Sequence, residues 1–198
     1  MNPEMVLEVN VYLYQSKTGY FMFKNIAIAI LSLLLISNMP AVSQNLETEA
    51  PCSGEEYHQF DFWIGDWVVY VSGQMVGFNK ITRIEGDCLL RENWKSVVSS
   101  HTGTSYNFYD RNLKKWKHVW IDNQGATYDL KGEYRDKKMV MVSEEIMDDQ
   151  GNRVINRVIW HNNPDGTVRQ VWDQSKNGGQ TYAVLFDGLY RKRKPPRP

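Results

Sequence analysis

The stretch Gly103-Thr104-Ser105-Tyr106-Asn107-Phe108-Tyr109-Asp110-Arg111-Asn112-Leu113-Lys114-Lys115-Trp116-Lys117-His118-Val119-Trp120-Ile121-Asp122 holds two alternating runs with a turn cluster between them. Successive side chains of a β-strand point to opposite faces. In the first run Ser105, Asn107 and Tyr109 therefore share a face. In the second, Trp116, His118, Trp120 and Asp122 do. Asp110-Arg111-Asn112 between them is turn chemistry, because Asn and Asp tolerate positive φ.

The same rhythm extends in both directions. Period-2 runs occupy about 66–72, 76–85, 88–98, 103–110, 115–122, 126–135, 138–147, 153–161, 167–175 and 180–190. Most are rich in β-branched and aromatic residues, which fit a pleated, half-buried surface. Short Gly-, Asn- and Asp-containing clusters separate them, among them Ser72-Gly73, Arg135-Asp136-Lys137 and Asn177-Gly178-Gly179. No helical pattern of twelve residues lies between runs, which disfavours a parallel βαβ architecture. Ten sequential antiparallel strands with short links predict an all-β, up-and-down barrel, which leaves no exposed sheet edge. A sandwich is the rival architecture. Upstream, Ser53-Gly54-Glu55-Glu56 reads as a capping box opening a short helix over Tyr57 to Trp63, stopped before Gly65.

Composition agrees with one globular domain. The chain has 198 residues, 42% of them hydrophobic and 23% charged, with 23 basic and 23 acidic residues. Zero net charge removes the electrostatic footprint of a nucleic-acid binder. The aromatic content is the unusual feature: 7 Trp, 11 Tyr and 7 Phe.

The N-terminal part reads as processing. Lys24 precedes the apolar run Ile26 to Ile36, followed by Pro40 and Ala41-Val42-Ser43-Gln44. A short positive region, an apolar stretch and an A-x-S exit predict a signal peptide over 22–43, cut after Ser43. The run is shorter than the roughly 20 residues that span a bilayer; a retained single-pass anchor is the rival. Glu4 and Glu8 oppose a positive n-region, so Met22 is expected as the start and 1–21 as an over-extended gene model. Residues 44–54 are then a linker, 55–190 the barrel, and Arg191 to Pro198 a basic, Pro-rich, disordered tail. The mature chain is expected in the periplasm or secreted, without stable membrane insertion. Cys52 and Cys88 are the only cysteines, and an even count in an exported chain predicts a disulfide; two separate thiols are the rival.

Phe60-Asp61-Phe62-Trp63-Ile64-Gly65-Asp66-Trp67-Val68-Val69 places Gly-x-Trp at the start of the first strand, after the short helix. It resembles the opening motif of the calycin superfamily: lipocalins, fatty-acid-binding proteins and nitrobindin-like proteins. With Gly86 to Trp94, Ser105 to Asp110, Lys115 to Asp122 and Arg169 to Asp173, the chain looks like a family of exported bacterial calycin-like proteins. The resemblance covers most of 52–190 and implies a barrel with an internal pocket, but no particular reaction. Ten strands rather than the eight of lipocalins move the comparison toward fatty-acid-binding and nitrobindin-like barrels. The helix pair of fatty-acid-binding proteins has no room between the first two runs. Trp67 is expected to close one barrel end, with Trp63 and Phe60 in the same plug.

Alternation places a mixed set of side chains in the lumen. Glu92 and Trp94 share a face of their run; Asn107 and Tyr109, His118 and Trp120, and Gln170 and Trp172 share theirs. The faces opposite the last two pairs carry Lys115, Lys117, Arg169 and Asp173 and read as the outside. Large aromatics mixed with hydrogen-bonding groups suggest a small amphipathic or aromatic ligand held by stacking and a few polar contacts, without catalysis. A filled barrel whose polar groups satisfy one another is the bland alternative. An inward Glu92 needs a partner such as Arg157 or His118, since an unpaired buried charge is costly. An isomerase or hydrolase using Glu92 and His118 is the enzymatic rival. A haem-binding, nitrobindin-like role would need a His at the barrel mouth, where His161 is the candidate. A structural or interaction role completes the set. His58, His101 and His161 are otherwise expected to be solvated. No H-E-x-x-H, G-x-S-x-G, G-x-G-x-x-G or P-loop is present, so no cofactor or metal is implied.

Overall fold

A computed structural model describes residues 50–194. The expected start at Met22, the signal peptide 22–43, linker residues 44–49 and tail residues 195–198 lie outside the described residues. Eleven strands are formed: β1 (Gly65–Val71), β2 (Gln74–Ile84), β3 (Leu89–Ser96), β4 (Thr102–Asp110), β5 (Lys115–Asp122), β6 (Thr127–Arg135), β7 (Lys138–Ser143), β8 (Ile146–Met147), β9 (Arg153–Asn162), β10 (Val168–Ser175) and β11 (Ala183–Lys192). Each long strand pairs antiparallel with the next, and β1 pairs with both β2 and β11. Ten strands thus close into an up-and-down barrel, and the sandwich is excluded. β8 is a two-residue addition on β9 alone. The single run expected over 138–147 breaks at Glu144-Glu145, leaving β7 and β8 as separate pieces.

Local chemistry sets the tight turns. Ser72 (φ 49°) and Gly73 (φ 80°) both take left-handed backbone, the two-residue turn whose twist matches that of the flanking strands. Register slips between Val69 and Tyr70, and between Trp172 and Asp173, bend β1 and β10 around the wall.

The segment before β1 forms two 3₁₀ turns, Glu55–His58 and Asp61–Trp63. The expected capping box is absent: Gly54 stands at the N-cap and no side chain caps it. A seven-residue α-helix would not offset its own nucleation cost, so tertiary packing of its aromatics decides the conformation. Phe60 and Trp63 are fully buried and stacked, with ring centroids 4.9 Å apart. Trp116 and Trp160 meet Phe60 edge-on at 5.6 and 5.2 Å. The Trp67 indole N–H donates to the Trp63 carbonyl at 2.8 Å, as expected for the residue closing this end. Lys192 locks the closure from outside: its ammonium donates to the Ile64 carbonyl and lies 3.9 Å from the centre of the Trp67 ring. Arg191 and Lys192, expected in the tail, are therefore the last residues of β11, pairing with Val68 and Trp67.

Cys52 and Cys88 form a disulfide with Cα atoms 5.2 Å apart. It ties the chain ahead of the plug to the β2–β3 turn. Among the described residues no helix is long and apolar enough to cross a membrane. With a sequence separation of 36 between the cysteines, the chain-entropy model gives a stabilisation of about 3–4 kcal/mol. Replacing both by Ser should lower the unfolding free energy in urea by about that amount, with the strand signal retained; an unchanged midpoint would mean that the plug is held by packing alone.

Candidate functional site

The barrel interior divides into a filled half and an open half. The aromatic plug fills the end where β1 begins. The other half contains a cavity of about 430 Å³. Of the eight side chains expected in the lumen, Glu92, Trp94, His118, Trp120, Gln170 and Trp172 line it. Asn107 and Tyr109 do not. Asn107 is fully buried and works within the wall. Tyr109 turns into the plug, 5.4 Å from Tyr57 and 6.4 Å from Trp116. Both face inward as alternation requires, but they sit at the level the plug occupies.

The cavity floor is a continuous chain of hydrogen bonds. The Gln170 carboxamide oxygen accepts from the Tyr190 hydroxyl. The Asn79 amide donates to Tyr190 at 3.3 Å and to Glu92 Oε1 at 2.6 Å. Ser105 Oγ lies 2.5 Å from Glu92 Oε2, and the Asn107 amide donates to Ser105 at 2.8 Å. Asn107 Oδ1 lies 2.7 Å from His118 Nδ1. Because the Asn107 amide nitrogen already donates to Ser105 and to the Leu90 carbonyl, its oxygen must accept, and His118 carries its proton on Nδ1. Its Nε2 is then a lone-pair acceptor with no hydrogen-bond partner among the described residues, on a side chain that lines the cavity.

Glu92 has neither expected partner. Arg157 belongs to the opposite face of β9, where it binds Asp173 at 2.6 Å and stacks 3.8 Å from the Tyr182 ring centre. His118 is separated from Glu92 by Ser105 and Asn107. Two neutral donors replace a counter-ion. Burial pushes the Glu92 carboxyl up to about 7, only partly offset by the Ser105 and Asn79 hydrogen bonds. Burial pushes His118 down to about 3, so it is neutral at physiological pH. Tyr190 is held well above its ordinary value, first by burial and then by the Glu92 charge.

Aromatics line the upper wall and mouth. Trp172 and Tyr128 pack edge to face at 5.1 Å, and the Trp172 N–H is satisfied by Asn156 at 3.0 Å. Trp94 and Trp120 lie against glycines. A Cβ on Gly77 would fall 2.3 Å from the Trp94 ring, and one on Gly103 would fall 2.1 Å from the Trp120 ring. These two inward glycines let both indoles lie along the wall and keep the lumen open.

At the mouth, His101 corrects its expected solvated place. Its Nδ1 accepts from the Trp94 N–H at 3.2 Å, and its Nε2 faces Asp122 Oδ2 at 3.0 Å. Burial opposes ionisation of Asp122, but His101 and the Gln124 and Ala126 amides outweigh it and hold its carboxyl below the usual range. His161 lies on the outer face of β9, level with Lys138 and Arg169, so the mouth histidine required by the haem reading is not His161. His58 sits on the first 3₁₀ turn, 2.9 Å from Asp61.

Sequence reasoning missed Asn79, His101, Tyr128, Asn156 and Tyr190. The parity of Gly77, Asn79 and Ile81, or of Val154, Asn156, Val158 and Trp160, places the two asparagines inside and Arg157 outside. No comparable signal marked His101, which acquires its role from Trp94 and Asp122 on other strands. No protein-family model matches the chain, and a search of curated proteins finds no significant match.

The Glu92 environment dictates a pH dependence. Its folded value of about 7 lies above the ordinary 4.5. Below 4.5 it is protonated in both states; between about 4.5 and 7 the unfolded chain loses the proton first, so stability falls as pH rises, by about 3 kcal/mol at 1.36 kcal/mol per pH unit. His118 acts oppositely, costing stability as pH falls from 6.5 toward 3. Comparing Glu92→Gln with wild type cancels the His118 contribution. The variant's stability relative to wild type should rise by about 3 kcal/mol between pH 4 and pH 8 in urea unfolding. Parallel profiles would show that Glu92 ionises in the fold as freely as in the unfolded chain.

Proposed function

We propose that this chain is an exported, calycin-like barrel that binds a small amphipathic or aromatic molecule in its lumen without chemical conversion. The observation that carries this reading is the division of one cavity of about 430 Å³ into a hydrogen-bonding floor and an aromatic upper wall. A small-molecule site is expected to be largely apolar, with a few convergent polar groups that fix orientation. Trp94, Trp120, Tyr128, Trp172 and Phe186 supply stacking surface, and His118, Glu92 and Gln170 supply polar contacts. The glycines behind Trp94 and Trp120 support a lumen that is kept open rather than filled.

Export is supported by the apolar run 26–36 behind Lys24 and by the Cys52–Cys88 bridge, since disulfides persist in oxidising compartments. The calycin reading is supported by Gly65-x-Trp67 at the start of β1 and by closure into ten strands. An acid–base reaction is less favoured because Glu92 and His118 do not touch and both keep to their own hydrogen bonds within the wall.

Native mass spectrometry of the protein isolated from its own compartment should reveal a bound mass that disappears on denaturation. For the purified chain, the neutral fluorophore N-phenylnaphthylamine should bind and quench tryptophan emission. Gly103→Ala pushes the Trp120 ring into the lumen and should weaken that binding by about tenfold, roughly the loss of one stacked ring. Trp94→Leu should weaken it similarly in a folded variant. A clean apo mass together with no fluorophore binding would discard the lumen as a binding site.

A further inference from the structure

Three acidic residues border the cavity, with His101 held between Asp122 and Trp94. Glu92 lies in the floor, Asp122 at the end of β5, and Asp149 in the loop Asp148–Asn152 between β8 and β9. No Lys or Arg is among the described residues that line the cavity. Of the nearby cations, Lys117 pairs with Asp129, Arg153 with Glu145 and Arg157 with Asp173 on the outer face, while Lys176 acts on Asp148 beside Asp149. Asp122 and Asp149 both act electrostatically on Tyr128, raising its hydroxyl after the larger effect of burial, so their field reaches the aromatic wall.

Two further features point the same way. The mouth combines these carboxylates with the faces of Trp120, Trp172 and Tyr128, and aromatic faces attract cations through their quadrupole. His118 is about 95% buried, lines the cavity, and presents Nε2 as an acceptor with no partner among the described residues. An acceptor there fits a donor N–H, and nothing among the lining side chains would neutralise a carboxylate or phosphate head. The cavity therefore disfavours anionic amphiphiles.

We infer that the lumen is built for an organic cation, an amine- or ammonium-bearing aromatic amphiphile whose flat body stacks on the tryptophans while its charge sits among Asp122, Asp149 and the aromatic faces. This rests on the lumen being a binding site. It goes beyond that reading by assigning the sign of the ligand's charge. Asp122 is held by hydrogen bonds from His101 and two backbone amides, so its charge is fixed in place. Asp149 is exposed on its loop and contributes a screened, longer-range attraction.

The test uses three probes with the same flat body and different heads: naphthylmethylammonium, naphthylmethanol and naphthylacetate. Each is titrated into the full chain by calorimetry and by tryptophan quenching. The ammonium probe should bind at least about tenfold more tightly than the acetate probe, as expected for desolvated cation–π contact reinforced by carboxylates. Its advantage over the alcohol should shrink on going from about 20 to 500 mM salt. Asp149→Asn, on an exposed loop, should reduce the ratio of ammonium to alcohol affinity by about two- to fivefold, with folding checked by circular dichroism. Equal or tighter binding of the acetate probe would overturn the cation assignment while leaving the binding reading intact. Binding of none of the three would overturn both.

Discussion

The face-to-face contact of Phe60 with Trp63 is the interaction on which the rest of the structure depends. A ten-stranded barrel is wider than its own wall side chains can fill, so one end must be closed by something else. Here two 3₁₀ turns deliver a pair of stacked rings, which Trp116, Trp160 and Trp67 surround. The Trp67 indole fastens the plug to β1, Lys192 fastens it to β11, and Cys52 fastens the segment leading into it to the β2–β3 turn. The plug thus stands at the seam where first and last strands meet. Closure of the barrel and closure of its end are one event, and the remaining volume has to open at the other end.

What lies above the plug follows from the cost of burying polar groups. Glu92 is inside a barrel with no ion-pair partner among the described residues, a situation that destabilises a carboxylate by several kcal/mol. The wall answers with neutral donors, Asn79 and Ser105, which are themselves held by Tyr190 and Asn107. The network runs from β10 and β11 through β2, β3 and β4 to β5, so it staples adjacent strands while leaving one face of His118 uncommitted. Such a layer is stable only if every member is placed, which makes it specific as well as polar. Above it the need reverses. Gly77 and Gly103 remove side-chain volume where the indoles of Trp94 and Trp120 must lie flat. The floor is hydrogen-bonded along its length, with Asn79 Oδ1 and His118 Nε2 left without a partner among the described residues, and the upper wall is left unfilled.

Much of this architecture was legible one residue at a time. The number of strands, their antiparallel sense and their turns are local properties: period 2 in side-chain character, Gly or Asn where φ must be positive, and links too short for crossovers. β5 occupies Lys115–Asp122 as the alternation alone dictated, and β4 begins one residue earlier than expected. The inward direction of Glu92, Trp94, His118, Trp120, Gln170 and Trp172 followed from the same parity. The disulfide followed from a count of two cysteines and an inferred oxidising compartment. Where local reasoning failed, tertiary packing overrode it. The capping box gave way to 3₁₀ turns under the pull of the aromatic plug, and the run 138–147 broke where Glu144 and Glu145 interrupt its apolar pattern.

The sequence by itself determined which face of β3, β4 and β5 is inside, because parity is fixed along a continuous chain. It did not determine height. Tyr109 and Trp120 face the same lumen, yet one belongs to the plug and the other to the cavity, since their levels depend on the stagger of strands around the ring. Nor did it determine partners. Glu92 meets Asn79 rather than Arg157, and His101 meets Asp122 and Trp94, through pairings between residues 7 to 21 positions apart in sequence. Tyr190 reaches Asn79 across 111 positions. Hairpin register brings the near pairs within hydrogen-bonding distance and closure of the ring brings Tyr190 to Asn79, so the polar floor and the open mouth are properties of paired strands rather than of any one strand.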